Sequence, residues 1–300
     1  MKRIIGGLFG GTLLFTACKE NHNLVSISNP VSVSVDTTYI LPPSLIPAAD
    51  AHNVLIEDFT GVTCTNCPGA HDNILVPIES SNPHGRINIV ELFVTDFPQT
   101  GPNVGELYNG FRDTVATKIE NSVYTSLVVI PIAGIDRMPL GTDGLNNTQV
   151  KSSSWTSGVN GRLTTTDALN LSVVSSFDSA SRTATIVTKI TYLDTTTALQ
   201  NLSVVVVEDS FTDLQEFPDS VAWYNYNSVF RGLVTAVPFG DPISPSLPLK
   251  EKGRVCQKVY SYHVNAAWKS KHCRVIAFVH GDGSQAGQHV YQSWQTPLAP

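Results

Sequence analysis

The sequence predicts an α/β domain over residues 50–165, followed by an all-β sandwich domain over residues 166–300. In the first region, short apolar strand patterns alternate with helical patterns, as in folds that pack helices against a sheet. In the second region, segments with period-two hydrophobicity are separated by turn-rich links, which is typical of a β-sandwich. The chain has 300 residues, of which 42% are apolar and 15% charged, and this suffices for two folded cores.

Composition and charge narrow the class of protein. The formal net charge is −6 and the chain has no cluster of Lys and Arg. This argues against nucleic-acid binding, because phosphates require basic neutralising groups. Ser, Thr, Asn and Val are abundant while charged residues are scarce, as in β-rich proteins outside the cytoplasm.

The first 17 residues predict a lipoprotein signal peptide. Lys2 and Arg3 precede an uncharged apolar stretch over residues 4–15, which is too short to cross a bilayer core of about 30 Å. Residues 14–18 read Leu-Phe-Thr-Ala-Cys and resemble the bacterial lipobox, in which the cysteine is diacylated and becomes the new N-terminus. We therefore expect a lipid on Cys18; an ordinary secretory signal with an incidental cysteine is the alternative.

Residues 18–49 predict an extended tether between the lipid and the folded region. They are rich in Ser, Asn, Val and Pro, a composition typical of linkers. Lys19-Glu20, directly after the cysteine, resembles signals that direct some lipoproteins to the outer membrane or the cell surface. The sequence thus predicts a protein anchored by lipid to the outer membrane, on its periplasmic face or at the cell surface.

The first folded region opens with a strand that leads into a Cys-x-x-Cys motif. Residues 53–59 are mostly apolar and predict a buried strand, and Cys64 and Cys67 follow after a short turn. A helix is expected from about residue 65 to Val76, just before Pro77. Beyond it we predict a strand over residues 87–94, an amphipathic helix over 104–120, a strand over 126–136 and a last helix over 151–163.

This placement of the motif suits thiol–disulfide chemistry. The thiolate is the attacking species, and a helix N-terminus stabilises its negative charge. Two intervening residues let the second sulfur reach back and resolve a mixed disulfide. A structural disulfide and a metal site are the alternatives, since His71 extends the motif to C-x2-C-x3-H, although no fourth ligand lies nearby in sequence. We expect neither a metal nor a cofactor.

Two further cysteines, Cys256 and Cys273, lie in the second region. With Cys18 assigned to lipid, the other four are an even number in an oxidising compartment, so this pair is a candidate structural disulfide. In a simple hairpin of residues 255–264 and 273–280, Cys256 would face the far end of the second strand. The bridge therefore requires another register or a crossing between sheets, and the sequence leaves it open.

The second region contains six strand patterns and one long aromatic loop. The strands are predicted over residues 169–175, 183–193, 202–208, 255–264, 273–280 and 289–294. The loop, residues 217–248, is rich in aromatic residues and proline. Its aromatics either pack against the sandwich or form a binding surface for a partner.

Residues of the first region resemble the thioredoxin superfamily. Residues 54–59 followed by Cys64-Thr65-Asn66-Cys67 are similar to its strand–turn–dithiol signature. Asp58 lies six residues before the first cysteine, where the family keeps a buried acid that serves proton transfer. Residues 129–137 resemble its cis-proline segment, which implies that Pro131 presents substrate to the dithiol.

A second resemblance covers residues 50–298. Residues 57–61 (Glu-Asp-Phe-Thr-Gly), 64–68 (Cys-Thr-Asn-Cys-Pro), 204–209 and 226–232 resemble the family named after a twenty-eight kilodalton outer-membrane protein of Bacteroidota. Its members are lipoproteins for which adhesin or receptor roles have been proposed. The two resemblances imply an α/β thioredoxin-like domain followed by an all-β immunoglobulin-like sandwich domain.

Two functions from different classes follow from these patterns. In the first, the protein is a thiol–disulfide oxidoreductase acting on extracytoplasmic proteins, with Cys64 as attacking thiol and Cys67 as resolving thiol. Asp58 would assist proton transfer and Pro131 would shape the substrate edge. In the second, the protein binds surface ligands without catalysis, and the Cys64–Cys67 disulfide is structural.

The anchor is tested by Cys18→Ser. Without the acylated sulfur, the precursor should stay unprocessed and fail to partition into the detergent phase, because the hydrophobic chains supply the membrane affinity. Detergent phase separation of cells expressing parent and variant measures this directly. A variant that stays as membrane-bound as the parent shows that the lipobox interpretation is wrong.

Overall fold

The computed structural model describes residues 32–94, 113–144, 147–283 and 287–300. Strands account for 45% of the described residues and helices for 18%. The strands are β1 (Ser32–Ile40), β2 (Val54–Thr60), β3 (Ile87–Phe93), β4 (Ile132–Ile135), β5 (Val150–Lys151), β6 (Leu169–Asp178), β7 (Thr183–Tyr192), β8 (Gln200–Glu208), β9 (Phe211–Phe217), β10 (Ser220–Tyr226), β11 (Val229–Leu233), β12 (Asp241–Pro242), β13 (Arg254–His263), β14 (Cys273–Gly281) and β15 (Val290–Pro297). The α-helices are α1 (Cys67–Ala70), α2 (Val76–Ser80), α3 (Thr114–Ile119) and α4 (Trp155–Arg162).

One large sheet runs through both halves of the chain. Its strands lie in the order β15-β14-β8-β11-β3-β2-β4-β5, and β12 pairs with β8. The junction between the halves is β11, which pairs antiparallel with β8 and parallel with β3. Strands from before residue 166 and strands from after it therefore share one hydrogen-bonded layer.

Strand β8 explains why this sheet has a core on each of its faces. Every residue of β8 is buried, and successive side chains of a strand point to opposite faces. Val204 and Val206 lie in the core toward a second sheet, whereas Val205 and Val207 lie in the core that also contains Leu55 of β2. A continuous run of valines is the pattern expected of a strand covered on both sides.

The second sheet has four strands in the order β1-β13-β7-β6. All of its pairings are antiparallel. Its inward side chains share a core with those of β8 and β14, so this part of the molecule is a two-layer β-sandwich. On the opposite side of the larger sheet, apolar residues of α3 complete the other core.

The predicted fold class, an α/β thioredoxin-like domain followed by an all-β immunoglobulin-like sandwich domain, is wrong. The described residues are mostly β and their helices are short. No separate α/β core is present in this part of the chain, because β2 and β3 continue through β11 into β8 and β14. Local hydrophobic patterns identify strands, but the choice of neighbouring strands is a tertiary property.

Two local predictions also differ from the structure. Residues 32–40, within the predicted tether, form β1, because the main chain there pairs with residues 254–261 of β13. The strand predicted over residues 126–136 is confined to β4.

The signal peptide, Cys18 and residues 104–112 of the predicted helix lie outside the described residues. In the described part, α3 begins at Thr114. It is capped by Asp113, whose side chain accepts from the Val115 amide at 2.6 Å.

A buried ionic network joins the start of β2 to the second half of the chain. His52 donates to Asp136 and to Asp167, each at 2.7 Å, and Arg162 Nε donates to Asp136 at 2.8 Å. Burial alone would lower the pKa of His52, but the hydrogen bonds and charges of the two aspartates outweigh burial and raise this pKa to about 9. His52 is therefore a cation that holds β4 and the segment before β6 together.

Replacing His52 by Gln should remove a pH-dependent part of the stability. Because the folded-state pKa of His52 lies above its ordinary value of 6.5, its contribution is complete below about pH 6.5 and is lost as the pH rises through about 9. The shift corresponds to about 3 kcal/mol at most. The free energy of unfolding, measured in urea, should fall in the parent between pH 6.5 and pH 9.5. It should fall less in His52→Gln.

The matched control is His84→Gln, at an exposed position. It should keep the pH dependence of the parent. If His52→Gln keeps that dependence as well, His52 is not the group that titrates.

Candidate functional site

The cysteines of the Cys-x-x-Cys motif form a disulfide in the loop after β2. Their Cα atoms are 5.4 Å apart. The turn is closed by the Cys67 amide, which donates to the Cys64 carbonyl at 3.2 Å, and by the Cys64 amide, which donates to Gly61 at 3.0 Å. Cys64 is 8% exposed and Cys67 5% exposed, so the disulfide is shielded from solvent.

The helix after the disulfide begins at Cys67. Asn66 occupies the N-cap position without a capping bond from its side chain, and Pro68 lies in the first turn, as the sequence predicts. After α1 the helix widens into a π-helical turn over His71–Leu75 and continues as α2. It passes Pro77, the expected end: the π-helical turn interrupts the regular hydrogen-bond pattern just before this residue, where the Val76 amide donates to the His71 carbonyl.

A hairpin from the second half of the chain covers the disulfide loop. Strands β9 and β10 pair only with each other among the described strands. The Gln215 side chain donates to the carbonyls of Cys64 and Gly61 at 3.1 and 3.4 Å, and the Glu216 amide donates to the Val62 carbonyl at 2.8 Å. The hairpin therefore binds the main chain of the loop that carries the Cys64–Cys67 disulfide.

Aromatic side chains extend this cover over the following helix. The Tyr224 hydroxyl donates to Asp72 at 2.8 Å, and its ring lies edge-on to those of His71 and Tyr226. Phe93 of β3 packs edge-on to Tyr226. The sequence left open whether the aromatic residues of the loop over residues 217–248 are packed or exposed. Both occur, since Tyr226 is buried here whereas Trp223 is 71% exposed.

Beneath the helix, three titratable side chains form a buried cluster. Asp58 on β2 lies opposite Glu91 on β3 in the parallel ladder, and both are 3% exposed. His71 Nδ1 lies 2.6 Å from Glu91 Oε1. Among the described residues, Asp58 Oδ1 has no hydrogen-bond partner. The cluster thus combines two carboxyl groups with one cation.

Burial and the neighbouring charges shift the pKa values of Asp58 and His71. Burial raises the pKa of Asp58 well above its ordinary value, and the charge of Glu91 raises it further, against a smaller lowering by His71. Burial would lower the pKa of His71, but its pairing with Glu91 outweighs burial and raises that pKa to about 9. At neutral pH His71 is therefore charged, and Asp58 is the carboxyl group of the cluster whose pKa burial raises.

An open groove of about 530 Å³ lies beside α1. Asn66, between the two cysteines, lines one wall, and Pro131 lines the other. The peptide bond between Ile130 and Pro131 is cis. Val129 is 41% exposed on this wall, so an apolar surface is available beside the disulfide loop.

The candidate bridge between Cys256 and Cys273 is not formed, and both residues are buried free thiols. Cys256 lies on β13 of the four-stranded sheet, and its sulfur is 3.2 Å from the Ser244 hydroxyl. Cys273 lies on β14 of the larger sheet, where burial raises the pKa of its thiol to about 12. The two thiols lie on different sheets, and Cys273 Sγ donates to the Lys269 carbonyl at 3.5 Å, so these cysteines are not part of the candidate site.

Glu91 and the hairpin residues were not predicted from the sequence. Glu91 was detectable, because it interrupts an apolar strand just as Asp58 does in the preceding strand, and such strands pair side by side. Gln215 and Tyr224 carried no comparable signal, since their contacts depend on a fold of the chain over 150 residues away. Within the described residues, no group of three or more His, Cys, Asp or Glu is arranged to hold a metal, and His71 pairs with Glu91 instead.

The chain matches one family model and resembles a solved structure. A family model described as "Outer membrane protein Omp28" matches residues 123–296, more than half of the chain. HBP35 of Porphyromonas gingivalis superposes with a TM-score of 0.64 at 14% identity, covering 84% of this chain and 77% of that chain; this likeness shows the fold alone.

The E. coli curli protein CsgC superposes with a TM-score of 0.17 at 13% identity, over 43% of this chain and 98% of that chain, and no conclusion follows from it. A search of curated proteins found no match. No helix among the described residues is long and apolar enough to cross a bilayer.

The His71–Glu91 pair is tested by a double-mutant cycle. His71→Gln leaves a buried carboxylate without its cation, and we expect a loss of about 3 kcal/mol in the free energy of unfolding. Glu91→Gln should cost a similar amount, whereas the double variant should cost less than the two losses added together. Urea unfolding of the oxidised parent, the two single variants and the double variant measures the four free energies. Additive losses would show that the two side chains do not interact.

Proposed function

This chain belongs to the Omp28 outer membrane protein family, and from that premise we propose that it is a lipoprotein that exchanges its Cys64–Cys67 disulfide with thiols of extracytoplasmic proteins. The family assigns it to the outer membrane. The lipid on Cys18 is the part of this proposal that rests on the lipobox-like residues 14–18. Acylation would attach the protein to the membrane without a spanning helix.

The observation that carries the proposal is the position of the disulfide beside an open groove. Asn66, one of the two residues enclosed by the disulfide, lines the groove together with Pro131. An extended segment of a partner protein lying against Val129 and Pro131 would pass next to the loop of Cys64. A disulfide used only as a staple has no need of such a neighbouring surface.

The exchange follows ordinary thiol–disulfide chemistry. A thiolate of the partner attacks Cys64 Sγ, the Cys64–Cys67 bond breaks, and Cys67 leaves as a thiolate. A second partner thiol then attacks the mixed disulfide and releases Cys64, so that the partner gains a disulfide and this protein becomes a dithiol. In the reverse direction Cys64 attacks and Cys67 resolves. Asp58, whose pKa burial raises, would donate a proton to a thiolate as it forms.

A second function is favoured by a different observation. Both cysteines are at least nine-tenths buried, as is usual for structural disulfides. On this reading the protein binds surface ligands without catalysis, and the disulfide fixes the loop on which the hairpin rests. The two functions differ in how easily the disulfide is reduced.

The reduction potential of the Cys64–Cys67 pair decides between them. We expect a value above about −300 mV, because structural disulfides of secreted proteins lie below that level. Equilibration in dithiothreitol redox buffers, followed by alkylation and mass spectrometry, gives the potential. Replacing both Cys256 and Cys273 by Ser provides a background in which only this pair reacts. A value well below −300 mV overturns the exchange function and supports the binding function.

A further inference from the structure

We infer that the hairpin formed by β9 and β10, residues 211–226, is an autoinhibitory cover that must move away before a thiol reaches the Cys64–Cys67 disulfide. Its role as a regulator of exchange rests on the proposed function. Its role as a barrier to reduction rests only on the contacts of the hairpin. Three features of those contacts support it.

The first feature is that the hairpin can move without disturbing the sheets. Within the described residues it forms a two-stranded sheet of its own, inserted between β8 and β11. A hairpin of two strands is marginally stable alone, so its position depends on what it packs against. Displacing it breaks no ladder of the large sheet or of the four-stranded sheet.

The second feature is a hinge at each root of the hairpin. Ser210 precedes β9 with a φ of 54°, and Ser228 follows β10 with a φ of 56°. Both lie in the left-handed region, which non-glycine residues rarely occupy. The roots are tied to each other, since the Ser228 amide donates to Asp209 and the Ser210 amide donates to Asn227. A bend at these residues would swing the hairpin as one unit.

The third feature is that, among the described residues, the hairpin is held against its neighbours without a strand ladder to them. Polar contacts to the disulfide loop and the helix come from Gln215, Glu216 and Tyr224. The apolar contacts form a cluster around Val62 that is separate from the three larger cores, and the Phe211 ring lies 4.7 Å from the guanidinium of Arg231. Among the described residues, Glu216 Oε2 is buried without a hydrogen-bond partner, which costs free energy in the closed state. Opening the hairpin therefore requires far less free energy than unfolding the whole protein.

The cover is tested by the rate at which dithiothreitol reduces the disulfide in the full chain under native conditions. In this reaction two dithiothreitol thiols are oxidised to a cyclic disulfide, and Cys64 and Cys67 become thiols. Gln215→Ala combined with Tyr224→Phe loosens the hairpin, and we expect reduction about tenfold faster than in the parent, because these hydrogen bonds exist only in the closed state. Alkylation at timed intervals followed by mass spectrometry measures the rate.

Two comparisons make the result decisive. Trp223→Ala changes a side chain on the same hairpin that is 71% exposed, and it should leave the rate within about twofold of the parent. Tyr224→Phe alone removes one hydroxyl group and should give a reduction rate between those of the parent and the double variant. It serves as the test if the double variant is poorly folded. Equal rates in the parent and both loosened variants overturn the cover, as does a parent that is reduced as fast as the chain unfolded in urea.

The reduction rate and the reduction potential separate the two proposals. A potential well below −300 mV together with a rate that depends on the hairpin overturns exchange but supports the cover as a barrier. A reduction potential above about −300 mV, together with a reduction rate that is the same in the parent and the hairpin variants, supports exchange and overturns the cover.

Discussion

The pairing of β11 with both β8 and β3 is the constraint on which the rest of the structure depends. Val229 lies opposite Glu208 on one side and opposite Glu91 on the other, and the Glu91 amide donates to the Ser228 carbonyl at 2.8 Å. This short junction makes one sheet from two halves of the chain. It also determines where the hairpin lies, because β9 and β10 directly precede β11 and β3 neighbours the strand that ends at the disulfide loop.

Buried ion pairs accompany this junction. Arg137 binds Glu57 of β2 through two nitrogens at 2.8 and 2.7 Å, and Arg231 of β11 donates to Glu208 of β8 at 2.7 Å. Only 15% of the residues are charged, yet several of these charges lie inside the sheet. Breaking such a pair leaves a buried charge without its counter-ion, so a shifted strand register would be costly.

The candidate site is consequently assembled from distant parts of the chain. The disulfide and Asp58 come from the end of β2, Glu91 from β3, and the cover from the segment between β8 and β11. Asn66 of the disulfide loop lines the groove, and the carbonyls of Cys64 and Gly61 in the same loop accept from the hairpin. One half of the chain thus supplies the disulfide, while the other half supplies the hairpin that binds its loop.

The sequence by itself determined the local features of this protein. The spacing of Cys64 and Cys67 allowed a disulfide, since two intervening residues suffice for a tight turn, and period-two patterns located most strands of the second half. The resemblance to the thioredoxin superfamily implied that Asp58 is a buried acid, and this side chain is 3% exposed. These features depend on residues close together in the chain, where side-chain periodicity and turn geometry act directly.

Only the tertiary structure decided which strands are neighbours. It joined β11 to β3, laid the hairpin over the disulfide, placed residues 32–40 beside β13, and separated Cys256 from Cys273 on different sheets. Each of these outcomes pairs segments far apart in the chain. Strand patterns record how deeply a segment is buried but not its partner, so the two-domain fold class followed from the patterns and the continuous sheet did not.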